Sequence, residues 1–324
     1  MKRLFHFFAA AAVLVMGVAC QKEARTEGLK KGEALVSFKV EVPGDADTKA
    51  IGDGTNVDML YYEVYNADMS KKLAKGSKER TSAKVFDLEL TLVQDQTYIF
   101  LFWAQVDPEE NEPAIYTVND LTAVTVDYNA AVGNDEDRAA FFAADTLAIN
   151  KNTLTHDIYL KRPFAQLNFG TTTFVSPDML EPVTVNSSLI KVTNASTKFD
   201  VHNGVGSADA ADAAQVEFTA AGCPTEPAKL TVGTDEYEYL SMNYFFVGGK
   251  SDDVKIEAMF TTSVGNVEHS IISVPVAQNY RTNIIGDLLF NKADFRIIVD
   301  ERFAGDHNGG VSGGFTEVPN PDLK

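Results

Sequence analysis

The sequence predicts an all-β fold, arranged as two antiparallel β-sandwich domains with little helix. Three observations carry this. Apolar residues recur at every second position in segment after segment, the spacing of a strand with one buried face. Thr, Val, Tyr and Phe are enriched in those segments, as expected of residues that pack well on a pleated surface. Gly- and Asp-rich turns separate the segments, with no strand–helix–strand alternation of the kind a parallel sheet needs.

Along the chain, Val36, Phe38, Val40 and Val42 alternate with Ser37, Lys39 and Glu41. Phe86, Leu88, Leu90 and Leu92 do the same, as do Leu154, His156, Ile158 and Leu160. The run Tyr98 to Trp103 is apolar throughout, which predicts a strand covered on both faces and a buried Trp103. Further strands are expected at 58–66, 122–128 and 163–169. The second half predicts strands at 183–193, 214–220, 236–247, 253–263, 267–276, 279–290 and 294–299. Glu136 to Ala144 and Ala208 to Gln215 are the two places where a short helix is expected.

The 324 residues are enough for about two domains of ~150 residues. Pro177 and Pro182 interrupt the pattern, so the N-terminal sandwich is expected at 34–176 and the C-terminal one at 177–304. Residues 305–324 form a Gly-rich tail, expected to be mobile.

The N-terminus reads as an export signal. Lys2 and Arg3 precede an uncharged apolar run from Leu4 to Ala19, shorter than the roughly 20 apolar residues that a spanning helix needs. Met16-Gly17-Val18-Ala19-Cys20 resembles the lipobox of bacterial lipoproteins. That resemblance makes 1–19 a lipoprotein signal peptide and implies acylation of Cys20, with palmitate among the chains carried, and anchoring to outer-membrane lipid. Gln21-Lys22-Glu23 opens a polar tether at 20–33 that looks like the export tether of surface lipoproteins in Bacteroidota. With Cys20 acylated, Cys223 has no partner for a disulfide and is expected to be a buried, inert thiol.

Composition excludes several functions. A net charge of −18 argues against nucleic acid as a partner, because phosphate binding needs clustered Lys and Arg. Gly310-Val311-Ser312-Gly313-Gly314 satisfies the G-x-S-x-G pattern, yet no His follows Ser312 in the chain to complete a triad. His6, His156, His202, His269 and His307 show no metal-ligand spacing. The acidic stretches Asp107 to Glu112 and Asn134 to Asp137 do not match an EF-hand loop. No metal, no cofactor and no enzymatic activity are expected.

Six stretches, taken in order, resemble the fimbrillin family, the type V pilus subunits of Bacteroidota and their lipoprotein relatives. They are Ala50 to Gly54, Leu60 to Tyr65, Phe102 to Gln105, Arg138 to Phe142, Leu160 to Asn168 and Asn279 to Ile284. The resemblance implies two transthyretin-like sandwiches, export as a lipoprotein, and removal of a first strand by a surface protease. The open groove would then take a strand from another pilus subunit. Here the removable strand would be 34–42, with Val36, Phe38, Val40 and Val42 as its groove-filling face. Lys49 stands at the cleavage position, where relatives carry Arg. The other function the sequence allows is a permanently anchored surface lipoprotein, an adhesin for glycan or host protein that would use Tyr61, Tyr65 or Tyr237 for stacking, although tyrosines in such strands are more often sheet-face packing. Either way the expected location is the surface of the outer membrane, with a place in a pilus if the chain is processed.

Overall fold

The computed structural model describes residues 29–43, 54–82, 84–109, 114–129, 131–176, 178, 181–291, 294–300 and 315–318, the last as backbone only. The first strands are β1 (Glu33–Glu41), β2 (Met59–Asn66), β3 (Lys72–Glu79), β4 (Val85–Val93) and β5 (Gln96–Gln105). Two short strands follow, β6 (Tyr116–Thr117) and β7 (Val124–Val126), then β8 (Phe141–Ile149) and β9 (Thr153–Tyr159). The second half holds β10 (Phe164–Thr171), β11 (Val185–Ser196), β12 (Lys198–Asp200), β13 (Val205–Gly206), β14 (Ala213–Ala221) and β15 (Lys229–Val232). It continues with β16 (Asp235–Val247), β17 (Ser251–Thr262), β18 (Gly265–Ala277), β19 (Arg281–Gly286), β20 (Phe295–Asp300) and β21 (Phe315–Val318).

The first sandwich packs the sheet β4-β1-β9 against the sheet β3-β2-β5-β8. Phe38 of β1 lies between the two layers, its ring centroid 4.7 Å from Phe100 and 5.6 Å from Phe102. The alternation that predicts these strands is thus the alternation of core and solvent. On the other face of β5, Trp103 is fully buried and packs edge-on to Tyr116 and Phe246. Its indole N–H donates to Gln105 Oε1 at 2.8 Å. A small sheet, β13-β12-β7-β6, covers that face through Phe199, which contacts Trp103 and Phe142.

The second sandwich is one continuous sheet in the order β18-β17-β11-β16-β10-β19-β20-β21, with β14 also paired to β11 and β15 to β16. Phe169 of β10 meets Phe260 of β17, and His269 of β18 meets Phe295 of β20, so the two ends of the sheet face each other across a core. β16 serves both halves of the molecule. Leu240, Phe245 and Val247 join the second core, while Tyr239, Met242, Tyr244 and Phe246 pack on the first.

Several expectations are corrected. The two short helices shrink to 3-10 turns at Glu136–Arg138 and Ala210–Asp212, each started by an Asp side chain accepting a backbone N–H. The residues after each turn join β8 and β14, because pairing with β5 and β11 buries more than an isolated turn of helix can. The strand at 163–169, expected to close the first set, pairs instead with β16 and β19 in the second. Pairing is not purely antiparallel: β1 runs parallel to β9, and β10 parallel to β19. The strand at 279–290 stops at Gly286, whose φ of +155° and close approach to Asp294 leave no room for a side chain. Part of the tail expected to be mobile, Phe315–Val318, pairs with β20. β3 escapes sequence reading because a Lys-rich edge strand carries no apolar alternation.

Candidate functional site

The site of interest is the slot that β1 fills. β1 is an interior strand: it pairs antiparallel with β4 over its whole length and parallel with β9 from Leu35 to Glu41. Its inward side chains, Ala34, Val36, Phe38 and Val40, with Val42 just beyond, are all buried. They stand in cross-strand rows, Leu90–Val36–Leu154, Leu88–Phe38–His156 and Phe86–Val40–Ile158. Burying each Val or Phe contributes about 1.5–3 kcal/mol, so this face dominates the attachment of the strand. Its other face, including Ser37 and Lys39, points to solvent.

Both ends of the slot are closed by turns. At the start, the Gln94 backbone N–H donates to Gly32 O at 2.8 Å, and Gln94 Nε2 donates to Glu33 O at 3.0 Å and to Asn152 Oδ1. The Leu35 N–H donates to Asn152 O at 2.9 Å. This clamp touches β1 only through its backbone. At the far end, the Val42 N–H donates to Lys84 O at 2.9 Å. There Gly54, at φ +71°, lies so close that a Cβ would sit 2.5 Å from Val42 Cγ1 and 3.0 Å from the Phe141 ring. Gln94 and Asn152 carry no signal in the sequence, and Gly54, read as turn punctuation and as part of a family-like stretch, gives no sign of what its turn closes over.

The predicted groove-filling residues Val36, Phe38, Val40 and Val42 are therefore brought together on one face. Cys20, Lys49, Ser312, His6 and His307 lie outside the described residues. The aromatic platform proposed for glycan is not formed. Tyr65 is buried and donates its hydroxyl to Glu63 Oε2 at 2.7 Å, and burial above all pushes its pKa up to about 12. Tyr237 is buried, with its hydroxyl accepting from Arg296 at 2.7 Å, and Tyr61 is half-buried against the first core.

His156 bonds Asp145 at 2.5 Å, His269 bonds Leu288 O at 2.8 Å, and His202 sits in the turn before β13. Among the described residues no group of three or more His, Cys, Asp or Glu is placed to hold a metal. No described helix is long and apolar enough to cross a membrane. Cys223 is free, and burial pushes its thiol up to about 11, so the reactive thiolate is scarce near neutral pH.

Over residues 27–318 the sequence matches a family described as a family of unknown function (DUF6562). The chain belongs to that family. No curated protein matches it. Among solved structures, a candidate adhesin from Bacteroides thetaiotaomicron superposes with a TM-score of 0.52 at 12% identity, covering 83% of this chain and 96% of that one. A fimbrial assembly protein from Parabacteroides distasonis aligns at TM-score 0.46 and 14% identity, over 89% of this chain and 99% of that one. The tip fimbrial protein Mfa3 from Porphyromonas gingivalis, truncated at its C-terminus, aligns at 0.47 and 12%, over 88% and 99%. This DUF6562 member thus shares the fold of the Bacteroides adhesin candidate.

Proposed function

We propose that this chain is a non-enzymatic structural subunit of a cell-surface pilus, exported as a lipoprotein acylated on Cys20 and assembled by strand exchange. A cut at Lys49 would release the segment 34–42, and a strand from another subunit would take its place. The two sandwiches would be its two domains, the first completed by that foreign strand.

One observation supports this above the others: the N-terminal strand lies inside a sheet and not at its margin. Withdrawing an edge strand leaves an edge. Withdrawing β1 leaves β4 and β9 about 9–10 Å apart, twice the inter-strand spacing, with unpaired N–H and C=O groups facing each other over an exposed core. Only an added strand satisfies both edges at once, which is β-augmentation with main-chain bonds for strength and alternate side chains for register. The fold shared with the adhesin candidate agrees with a surface role.

The intact mass of the protein isolated from cells tests the proposal. A mature form beginning at Ala50 supports strand removal, and an acylated Cys20 on the unprocessed form supports lipoprotein export. A surface-exposed chain that keeps residues 20–49 and its lipid would instead make this a permanently anchored adhesin.

A further inference from the structure

The sockets beneath β1 are unequal, and their order restricts what can replace it. Phe38 is the one aromatic side chain of the strand, held by Phe100, Phe102 and His156 at centroid distances of 4.7, 5.6 and 6.2 Å. Two residues on either side, Val36 and Val40 are completely buried. The last socket is tight, because a Cβ on Gly54 would stand only 2.5 Å from Val42 Cγ1. The clamp of Gln94 and Asn152 binds backbone only, so it fixes where a strand enters and which way it runs without reading its sequence.

We infer that the strand replacing β1 comes from a different polypeptide and carries a central aromatic residue, flanked at two and four positions by small or β-branched apolar residues. This rests on the strand-exchange proposal above and adds the nature of the partner. The chain's own segment 311–319 does not meet the requirement. With Phe315 in the place of Phe38, Val311 and Gly313 fall at Ala34 and Val36, but Glu317 falls at Val40 and Pro319 at Val42. Val40 lies between Phe86 and Ile158, where a carboxylate would be buried without a partner. Pro319 has no N–H to give Lys84 O, the bond Val42 makes. The opposite parity, with Val318 central, places Asn320 and Asp322 in the same two sockets. In addition, Phe315–Val318 already pairs with β20 of its own chain.

The test uses the full chain with Asp45–Lys49 replaced by a site-specific protease sequence, cut so that β1 remains held without a covalent link. Labelled β1 is then competed at equilibrium with three peptides: residues 30–42, the same peptide with Phe38→Ala, and residues 307–319. The first should displace β1, the second should do so at least about a hundredfold more weakly, and the third should not compete. Displacement by 307–319 as effective as by 30–42, or a loss of less than about threefold for Phe38→Ala, overturns the inference while leaving strand exchange intact. Failure of the 30–42 peptide itself would bring down strand exchange and the inference together.

Discussion

β1 and β10 occupy the same place in their two sandwiches, yet they are held there by different chemistry. Each opens its strand set, pairs antiparallel on one side (with β4 or β16) and runs parallel on the other to a later strand (β9 or β19). β1 is attached by one apolar face, while its other face is half-buried with Lys39 exposed. β10 is buried at every position. Its polar residues are bound to particular partners: Asn168 donates to Asn283 Oδ1 at 2.8 Å and accepts from Tyr239 OH at 2.7 Å, while Arg281 donates to Gln166 at 3.1 Å. An apolar face in sockets can be matched by another strand of similar pattern. A strand with matched buried hydrogen bonds cannot be exchanged without leaving polar groups unpaired, at about 1–3 kcal/mol each. Topology offers the slot, and the chemistry of both faces decides whether it opens.

The contrast can be broken most directly with large core truncations. Phe169→Ala should cost about 3–5 kcal/mol in denaturant unfolding and strip amide protection from the second sandwich. Phe38→Ala should cost a similar ~3–5 kcal/mol, but with protection lost mainly in β1, β4 and β9. The sole tryptophan, Trp103, reports on the first sandwich and should emit at the short wavelengths of a buried indole in the intact protein. If Phe38→Ala also exposes β10 to exchange, the sandwiches unfold as one unit and β1 has no independent opening.

Smaller changes sharpen the comparison. Asn283→Ala leaves the Asn168 amide without its acceptor and should cost about 1–3 kcal/mol, with β10 the element that loses protection. Gly54→Ala puts a side chain at positive φ against Val42 and Phe141, and should destabilise by more than about 1 kcal/mol. That loss should appear at β1 and leave β10 unchanged, as read by hydrogen exchange. The smallest expected effect is on Cys223. With its thiol pushed up to about 11 by burial, labelling at pH 8 should be slow and should quicken as pH rises toward 11. Cutting the chain between β1 and β2 should not alter that rate, whereas Phe169→Ala should raise it.

Much of this was legible beforehand. The face of β1 that fills the slot, Val36, Phe38, Val40 and Val42, follows from alternation alone, and so does the burial of Trp103 in an unbroken apolar run. Tyr65 and Tyr237 pack as sheet-face aromatics more often do, though an aromatic in a strand reads the same whether its ring meets solvent or a second layer. The clamp of Gln94 and Asn152 was invisible for a related reason. Its partners lie 58 residues or more away along the chain, and nothing in a turn's composition names them.

By itself the sequence determined the all-β class, the extent of most strands and the side of each that faces a core, since a two-residue period is a local property of the chain. The tertiary structure decided which strands became neighbours. It placed β1 inside its sheet, gave β10 to the second sandwich, set two parallel pairs among antiparallel ones and drew Phe315–Val318 onto β20. The physical reason is that alternation states which face is buried and is silent about the partner that buries it. Partners are chosen by the summed packing and hydrogen bonding of segments far apart in the chain, and in this protein that choice set the first strand between β4 and β9.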